Sequence, residues 1–251
     1  MSEAIRAEKL VKTFGHVVAL NGVSLQVARG ETLGILGDNG AGKSTLIKIL
    51  TGYHQPDSGQ VFVDGRPVQF ASVDDARAHG IECVYQDLAL VNGLSIYHNM
   101  FLNRELLWGG PLRLLNHREM RRRAAAALAE IGVAVPSVEA EVGALSGGQR
   151  QAIAVARAVM SNARILLLDE PLAAMGAREA RLIIDLIERL KARGDIAIVM
   201  IAHNYAQTLE ICDRVVLVQH GEITFESAAA ATSAEQLLDI VRREYRAART
   251  G

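Results

Sequence analysis

The stretch GDNGAGKST, Gly37 to Thr45, limits what this chain can fold into more than any other part of its 251 residues. It has the form G-x-x-x-x-G-K-S/T. A strand-like ETLGIL precedes it, and KSTLIKIL follows with Leu46, Ile47 and Leu50 on one helical face. Glycines let the backbone curl so that successive N–H groups converge on phosphate oxygens, at a helix start whose dipole favours an anion. Lys43 adds a point charge near β- and γ-phosphates, and Ser44 offers a hydroxyl to Mg²⁺. The motif therefore predicts a nucleotide site built from Gly37, Asp38, Asn39, Gly40, Ala41, Gly42, Lys43, Ser44 and Thr45. It also predicts a strand–loop–helix unit of an α/β fold.

The rest of the chain agrees with that class. Up to about Val68 it is rich in strand-like segments, HVVAL, VSLQV, ETLGIL and GQVFVDG, with turn signals at Ala28-Arg29-Gly30 and Pro56-Asp57-Ser58-Gly59. Leu88 to Ser161 is mostly helical in pattern. The last third alternates again: RILLLDE, a helix through Ile183 and Leu190, DIAIVMIAH, another helix, then DRVVLVQ. Short apolar strands between helices predict a parallel sheet covered on both faces. Ser233 followed by Gln236 predicts a capped final helix.

Composition excludes several classes. No run approaches the roughly 18–20 apolar residues of a membrane span, and MSEAIRAEKL lacks a signal-peptide core. A cytosolic chain that meets a membrane through a partner is expected. A net charge of −1 gives no reason to expect nucleic acid, and HREMRRR (His117 to Arg123) reads as a solvated helix face. Cys83 and Cys212 sit among apolar neighbours and read as buried hydrophobes.

ILLLDEP, Ile165 to Pro171, is an apolar strand ending in two acids. Parallel sheets hold ligands at the carboxyl ends of their strands. Asp169 suits the Mg²⁺ shell, and Glu170 suits the polarisation of an attacking water. His203 ends IAIVMIAH and could reach a γ-phosphate oxygen or that water; Gln86, after IECVY, could meet both metal and water. A second loop, LSGGQRQ (Leu145 to Gln151), precedes an apolar stripe at Ala152, Val155, Ala156, Val159 and Met160. Ser146, Gly147, Gly148 and Gln149 thus lie at a helix start that favours an anion, although Ser146 alone is equally a plain N-cap.

Taken in order, these motifs resemble the nucleotide-binding subunit of ABC transporters over essentially the whole chain. LSGGQ is similar to the family signature, GDNGAGKST to its Walker A, ILLLDE to its Walker B, and Gln86 and His203 to its Q-loop and H-loop. Phe14 matches the aromatic that stacks on adenine, where tyrosine is commoner. The resemblance implies a P-loop ABC ATPase fold: a RecA-like core, an N-terminal antiparallel β subdomain and an inserted helical subdomain. It implies one domain over 1–251, with β subdomain and core in about 1–87 and 162–225, helices in 88–161, and a C-terminal helix over 226–251. It further implies ATP and Mg²⁺, and a head-to-tail dimer in which Ser146, Gly147, Gly148 and Gln149 meet the γ-phosphate held by the other copy.

The runs AHGIECVYQDLALVNGLSIYHNMFLNRE and DEPLAAMGARE narrow the likeness to ATPases of ribose/fructose/xylose-type monosaccharide importers. That implies membrane permease subunits, an extracytoplasmic solute-binding protein, and a place at the cytoplasmic face of the inner membrane. Leu88, Leu90, Leu94 and Met100 would line the groove for a permease coupling helix. Two positions depart from the wider family: Gly176 stands where an acid is usual, and Leu172 where threonine is commoner. The alternatives are an importer ATPase for another small solute and a soluble ABC-type ATPase. The latter usually carries long coiled-coil insertions or two such domains, and this chain has neither.

Overall fold

The computed structural model describes residues 2–109, 113–173 and 175–250, the last six as backbone only. Near the N-terminus β1 (Glu3–Phe14) and β2 (Val17–Ala28) form a long antiparallel pair. β4 (Ser58–Val63) joins β1, and β5 (Arg66–Val68) joins β4. HVVAL and VSLQV, separate segments by pattern, belong to the single strand β2. The Asn21-Gly22 pair between them is a bulge: Leu10 faces Val23 and Val11 faces Asn21, leaving Gly22 over at φ 75°.

The main sheet contains β3 (Thr32–Leu36), β6 (Ile81–Val84), β7 (Ile165–Asp169), β8 (Ala197–Ile201), β9 (Arg214–Gln219) and β10 (Glu222–Ala228), in the order β10-β9-β3-β8-β7-β6. All its pairings are parallel except the β10–β9 edge. Side chains alternate between two cores, as strand geometry requires. Ile165 and Leu167 of β7 join Ala197, Val199 and Ile201 of β8 in one core, with α1 (Lys43–Leu50) and the antiparallel sheet. Leu166, Leu168, Ile198 and Met200 face the other core, with α3 (Ile96–Phe101), α4 (His117–Glu130), α5 (Gly147–Met160) and α6 (Ala177–Arg193). α2 (Val73–Ala78) and α7 (Tyr205–Ile211) complete the cover. The sandwiched parallel sheet is the expected one.

Two expectations need correction. The final helix, α8 (Ala234–Thr250), starts later than 226 because β10 continues to Ala228; Ser233 Oγ then accepts the Gln236 N–H at 3.1 Å. Nor is the chain mostly helical from Leu88 onward, since among the described residues α3 is the only helix between Leu88 and α4. Asn99, fully buried, explains this. Its side chain accepts from Val91 N–H and donates to the carbonyls of Val91, Leu94 and Ser95, so the loop backbone has partners without helix formation. Met100 is core rather than open groove lining, and Leu88 and Leu90 are half-buried against that core.

Cys212 is buried and Cys83 half-buried; burial pushes the Cys83 thiol far up and the Cys212 thiol up to about 12. Both are small hydrophobes here. Among the described residues no helix is long and apolar enough to cross a membrane.

Candidate nucleotide site

Sheet register brings the motifs together. β8 lies between β3 and β7: Ile35 pairs with Ile201, and Ile201 pairs with Asp169. Gly37, Glu170 and His203, the first residues beyond or near those strand ends, therefore share one edge of the sheet. Glu170 turns away from β7 at φ 53°, a left-handed backbone that non-glycine residues adopt at a cost of about 1–3 kcal/mol. Its N–H stays bonded to Ile201 O at 3.1 Å, while its Oε1 meets His203 Nε2 at 2.6 Å. His203 thus orients a carboxylate that the chain has bent to reach it.

The loop from Gly37 to Gly42 connects β3 to α1. Gly42 caps α1 at φ 106° with no side-chain bond, and a Cβ there would lie 2.3 Å from Ala19 O. The first amides of α1 are thus left without a side-chain cap, as an anion site requires. Lys43 is buried, and its Nζ donates to Gly37 O at 2.6 Å and Asp38 O at 2.8 Å. Burial holds its ammonium below the usual lysine range, against the pull of Glu170, Asp38 and Asp169. Asp169 shows the reverse. Burial, then Glu170, raises its carboxyl above the usual range, and Lys43, Lys48 and His203 oppose this. Extra positive charge at this edge would therefore favour its ionised form.

Gln86 follows β6, whose Val84 pairs with Leu168; it is exposed at the adjacent strand end. Ser44 is exposed and Thr45 half-buried in the first turn of α1. Phe14 is half-exposed, with its ring 5.3 Å from that of His54 and Lys12 Nζ 5.6 Å above it. The β2 residue Ala19, not Phe14, makes the hairpin's close approach to Gly42.

The second loop differs from the first. Ser146 caps α5 through a full capping box: Gln149 N–H donates to Ser146 Oγ at 3.3 Å, and Ser146 N–H donates to Gln149 Oε1 at 3.1 Å. Gly148 N–H points to Glu179 Oε1 at 3.4 Å. That bond above all holds the Glu179 carboxyl below its usual range, with smaller help from Gly176, Ser146 and Gly147 against the cost of desolvation. One chain thus carries two helix starts for anions, one uncapped and one occupied by its own carboxylate. Gly176 caps α6 without a side chain, so Glu179, three residues on, serves α5 and α6 together. Leu172 packs half-buried against the main core beside His203 and Asn204.

Sequence reasoning missed Glu179, although its place three residues after a helix start was a usable capping signal. It also missed Arg157 on α5, which donates to Leu88 O at 2.9 Å and Ala89 O at 3.0 Å and so ties α5 to the segment after Gln86.

The two glycines of LSGG have different structural roles. A Cβ on Gly148 would lie 3.0 Å from Glu179 Cβ and 3.3 Å from its Cα, whereas one on Gly147 would meet only carboxylate oxygens at 3.7 and 3.9 Å. Gly148→Ala is expected to destabilise the fold by about 1–3 kcal/mol, read as a Tm lowered by roughly 2–10 °C. Gly147→Ala should keep the Tm. Equal melting of both variants in calorimetry would show that α5 and α6 do not need the close approach.

A profile described as ABC transporter matches residues 20–173. The chain is 43% identical over 241 residues to the xylose/arabinose import ATP-binding protein of Sulfolobus acidocaldarius, covering 96% of this chain and 94% of that one. It is 43% identical over 216 residues to the fructose import ATP-binding protein of Rhizobium meliloti, covering 84% and 83%. Among solved structures it superposes with a TM-score of 0.75, at 25% identity, on the dimeric post-hydrolysis state of an ATP-binding cassette bound to ADP and Pi, covering 90% of this chain and 98% of that one.

Proposed function

The chain belongs to the ABC transporter family, and on that premise we propose that it is the ATP-hydrolysing subunit of a monosaccharide importer. The observation that carries the reading is the meeting of Lys43, Asp169 and the Glu170–His203 pair at one sheet edge, beside the uncapped start of α1. In this reading the amides of Gly40 to Thr45 cradle the phosphates of ATP. Lys43 gives up its bonds to Gly37 O and Asp38 O and turns its ammonium to the β- and γ-phosphates. Glu170, held by His203, accepts a proton from water as that water's oxygen attacks the γ-phosphorus and the bond to ADP breaks.

The residues also suit Mg²⁺. The donor set is oxygen throughout, from the Ser44 hydroxyl, the Asp169 carboxylate and the Gln86 amide, and Asp169 lacks enough positive charge around it to keep its proton affinity low. Bound there, the ion would neutralise charge on the phosphates. Phe14 would stack on adenine at the rim.

Two copies would face each other head to tail, each offering Ser146, Gly147, Gly148 and Gln149 to the γ-phosphate on the other. Closure and reopening would drive permease subunits, fed by an extracytoplasmic solute-binding protein, from the cytoplasmic face of the membrane. Similarity to the xylose/arabinose and fructose import proteins supports the sugar, and similarity to the dimeric cassette bound to ADP and Pi supports the dimer.

The test has two parts. Purified chain should release phosphate from ATP only when Mg²⁺ is present, and EDTA should stop it. A strain lacking the chain should lose growth on one member of a panel of pentoses and hexoses, and regain it from a plasmid copy. Unchanged growth on every sugar would remove the monosaccharide assignment while leaving the ATPase intact.

A further inference from the structure

The connection between α3 and α4 plays no part in the nucleotide site. It forms a short antiparallel ribbon: Leu107 bridges Leu115, Trp108 N–H donates to Leu114 O at 2.8 Å, and Asn116 N–H donates to Leu106 O at 2.7 Å. Opposite residues of such a ribbon share a face, and successive residues alternate between faces. Leu107 and Leu115 therefore cover one face, at 40% and 39% exposure, and Trp108 and Leu114 the other, at 54% and 61%. The ribbon's root is fixed: Leu106 packs on the main core, and Leu102 to Arg104 line a groove with Ala89 and Arg157. A flat protein partner would cover one apolar face and leave the other in water. A surrounding apolar medium would cover both.

Charge identifies the medium. Residues 104–123 hold six arginines and two glutamates, a net +4 in a chain whose total is −1. Glu119 is already taken by Arg122 and Arg123, at 2.6 and 2.8 Å. Arg121 pairs with Glu139 at 2.7 Å beside the Tyr97 ring. Arg113 and Arg118 make no ion pair among the described residues. An apolar tip carrying a tryptophan, flanked by arginines, matches the chemistry of an anionic lipid interface, where aromatic rings sit among headgroups and cations meet phosphates.

We propose that Leu107, Trp108, Leu114 and Leu115, the paired residues of the ribbon, insert both its faces at the boundary between headgroups and acyl chains of an anionic bilayer, with Arg113 and Arg118 on lipid phosphates. Of HREMRRR, Arg118 joins this anchor, while Arg121, Arg122 and Arg123 keep their pairs with Glu139 and Glu119. The contact does not depend on ATP hydrolysis, and the two are measured separately.

Trp108 is the only tryptophan of the chain, so its emission reports on this tip alone. The full chain is mixed with vesicles of phosphatidylcholine and phosphatidylglycerol in a two-to-one ratio, and with phosphatidylcholine alone. The anionic vesicles should shift the emission to the blue and sediment the chain, with at least roughly tenfold tighter partition than neutral ones, weakening as salt is added. Arg118→Gln should weaken partition about fivefold. Leu107→Ser with Leu114→Ser should remove the blue shift and leave phosphate release unchanged. Three results would overturn the proposal: no shift and no sedimentation with anionic vesicles, a lipid-free shift that grows with protein concentration and so marks a second copy as occupant, or a shift that appears only when vesicles contain the permease.

Discussion

Glu170→Gln is expected to lower phosphate release by roughly 10²–10³-fold while ATP still binds and a dimer accumulates. The expectation rests on what the substitution keeps. The amide has the size of the carboxylate and can still meet His203, so the φ 53° turn and its bond to Ile201 O should persist. Only the ability to take a proton from water is lost. With closure intact and turnover blocked, the ATP-bound dimer should outlast a gel-filtration run. Unchanged melting of the variant would separate this loss from misfolding. Phosphate release near the wild-type rate would mean that the proton goes elsewhere and that the Glu170–His203 contact is structural.

The second large effect concerns whose phosphate the LSGGQ loop meets. Ser146→Arg places bulk and charge at the start of α5, more than 100 residues along the chain from Lys43, and should block hydrolysis while ATP still binds the single copy. Mixed dimers then test sharing of sites. A wild-type copy paired with one carrying both Lys43→Ala and Ser146→Arg should be inactive if sites are shared, because each composite site has one damaged half. Putting the two substitutions on different copies should leave one site whole and about half the turnover, provided the two sites act independently. If the first mixture keeps half the activity, each site is built within one chain and the head-to-tail dimer fails as an account of hydrolysis.

The structure also reshapes what the second loop does before a partner arrives. In the single chain Glu179 already sits on the Gly148 amide, and the Ser146–Gln149 box satisfies two more groups. On the proposed reading, an incoming phosphate would meet a helix start that is partly used, unlike that of α1.

Much of this site was legible as sequence. Phosphate cradling needs contiguous amides, so Gly37 to Thr45 announce it without help from distant residues. ILLLDE shows its burial by four apolar residues and its function by the two acids after them. Less was legible where a distant partner decides the outcome. HVVAL and VSLQV read as separate strand segments, yet both keep pairing with β1 across a bulge at Asn21-Gly22. Leu88 to Ser161 reads as mostly helical, yet near its start one buried side chain, Asn99, satisfies loop carbonyls instead.

By itself the order of amino acids determined the α/β class and the family, and named the members of the proposed site, because phosphate loops, caps and buried strands are made by neighbours along the chain. Tertiary structure alone decided which members touch. Glu170 and His203 are 33 residues apart and meet because β7 and β8 pair in one register; Glu179 reaches Gly148 across 31 residues because α6 packs on α5. It alone decided that the Leu107–Leu115 ribbon stands bare on both faces. Strand order, register and helix packing are settled by the energy of whole cores, and no short window of sequence contains that sum.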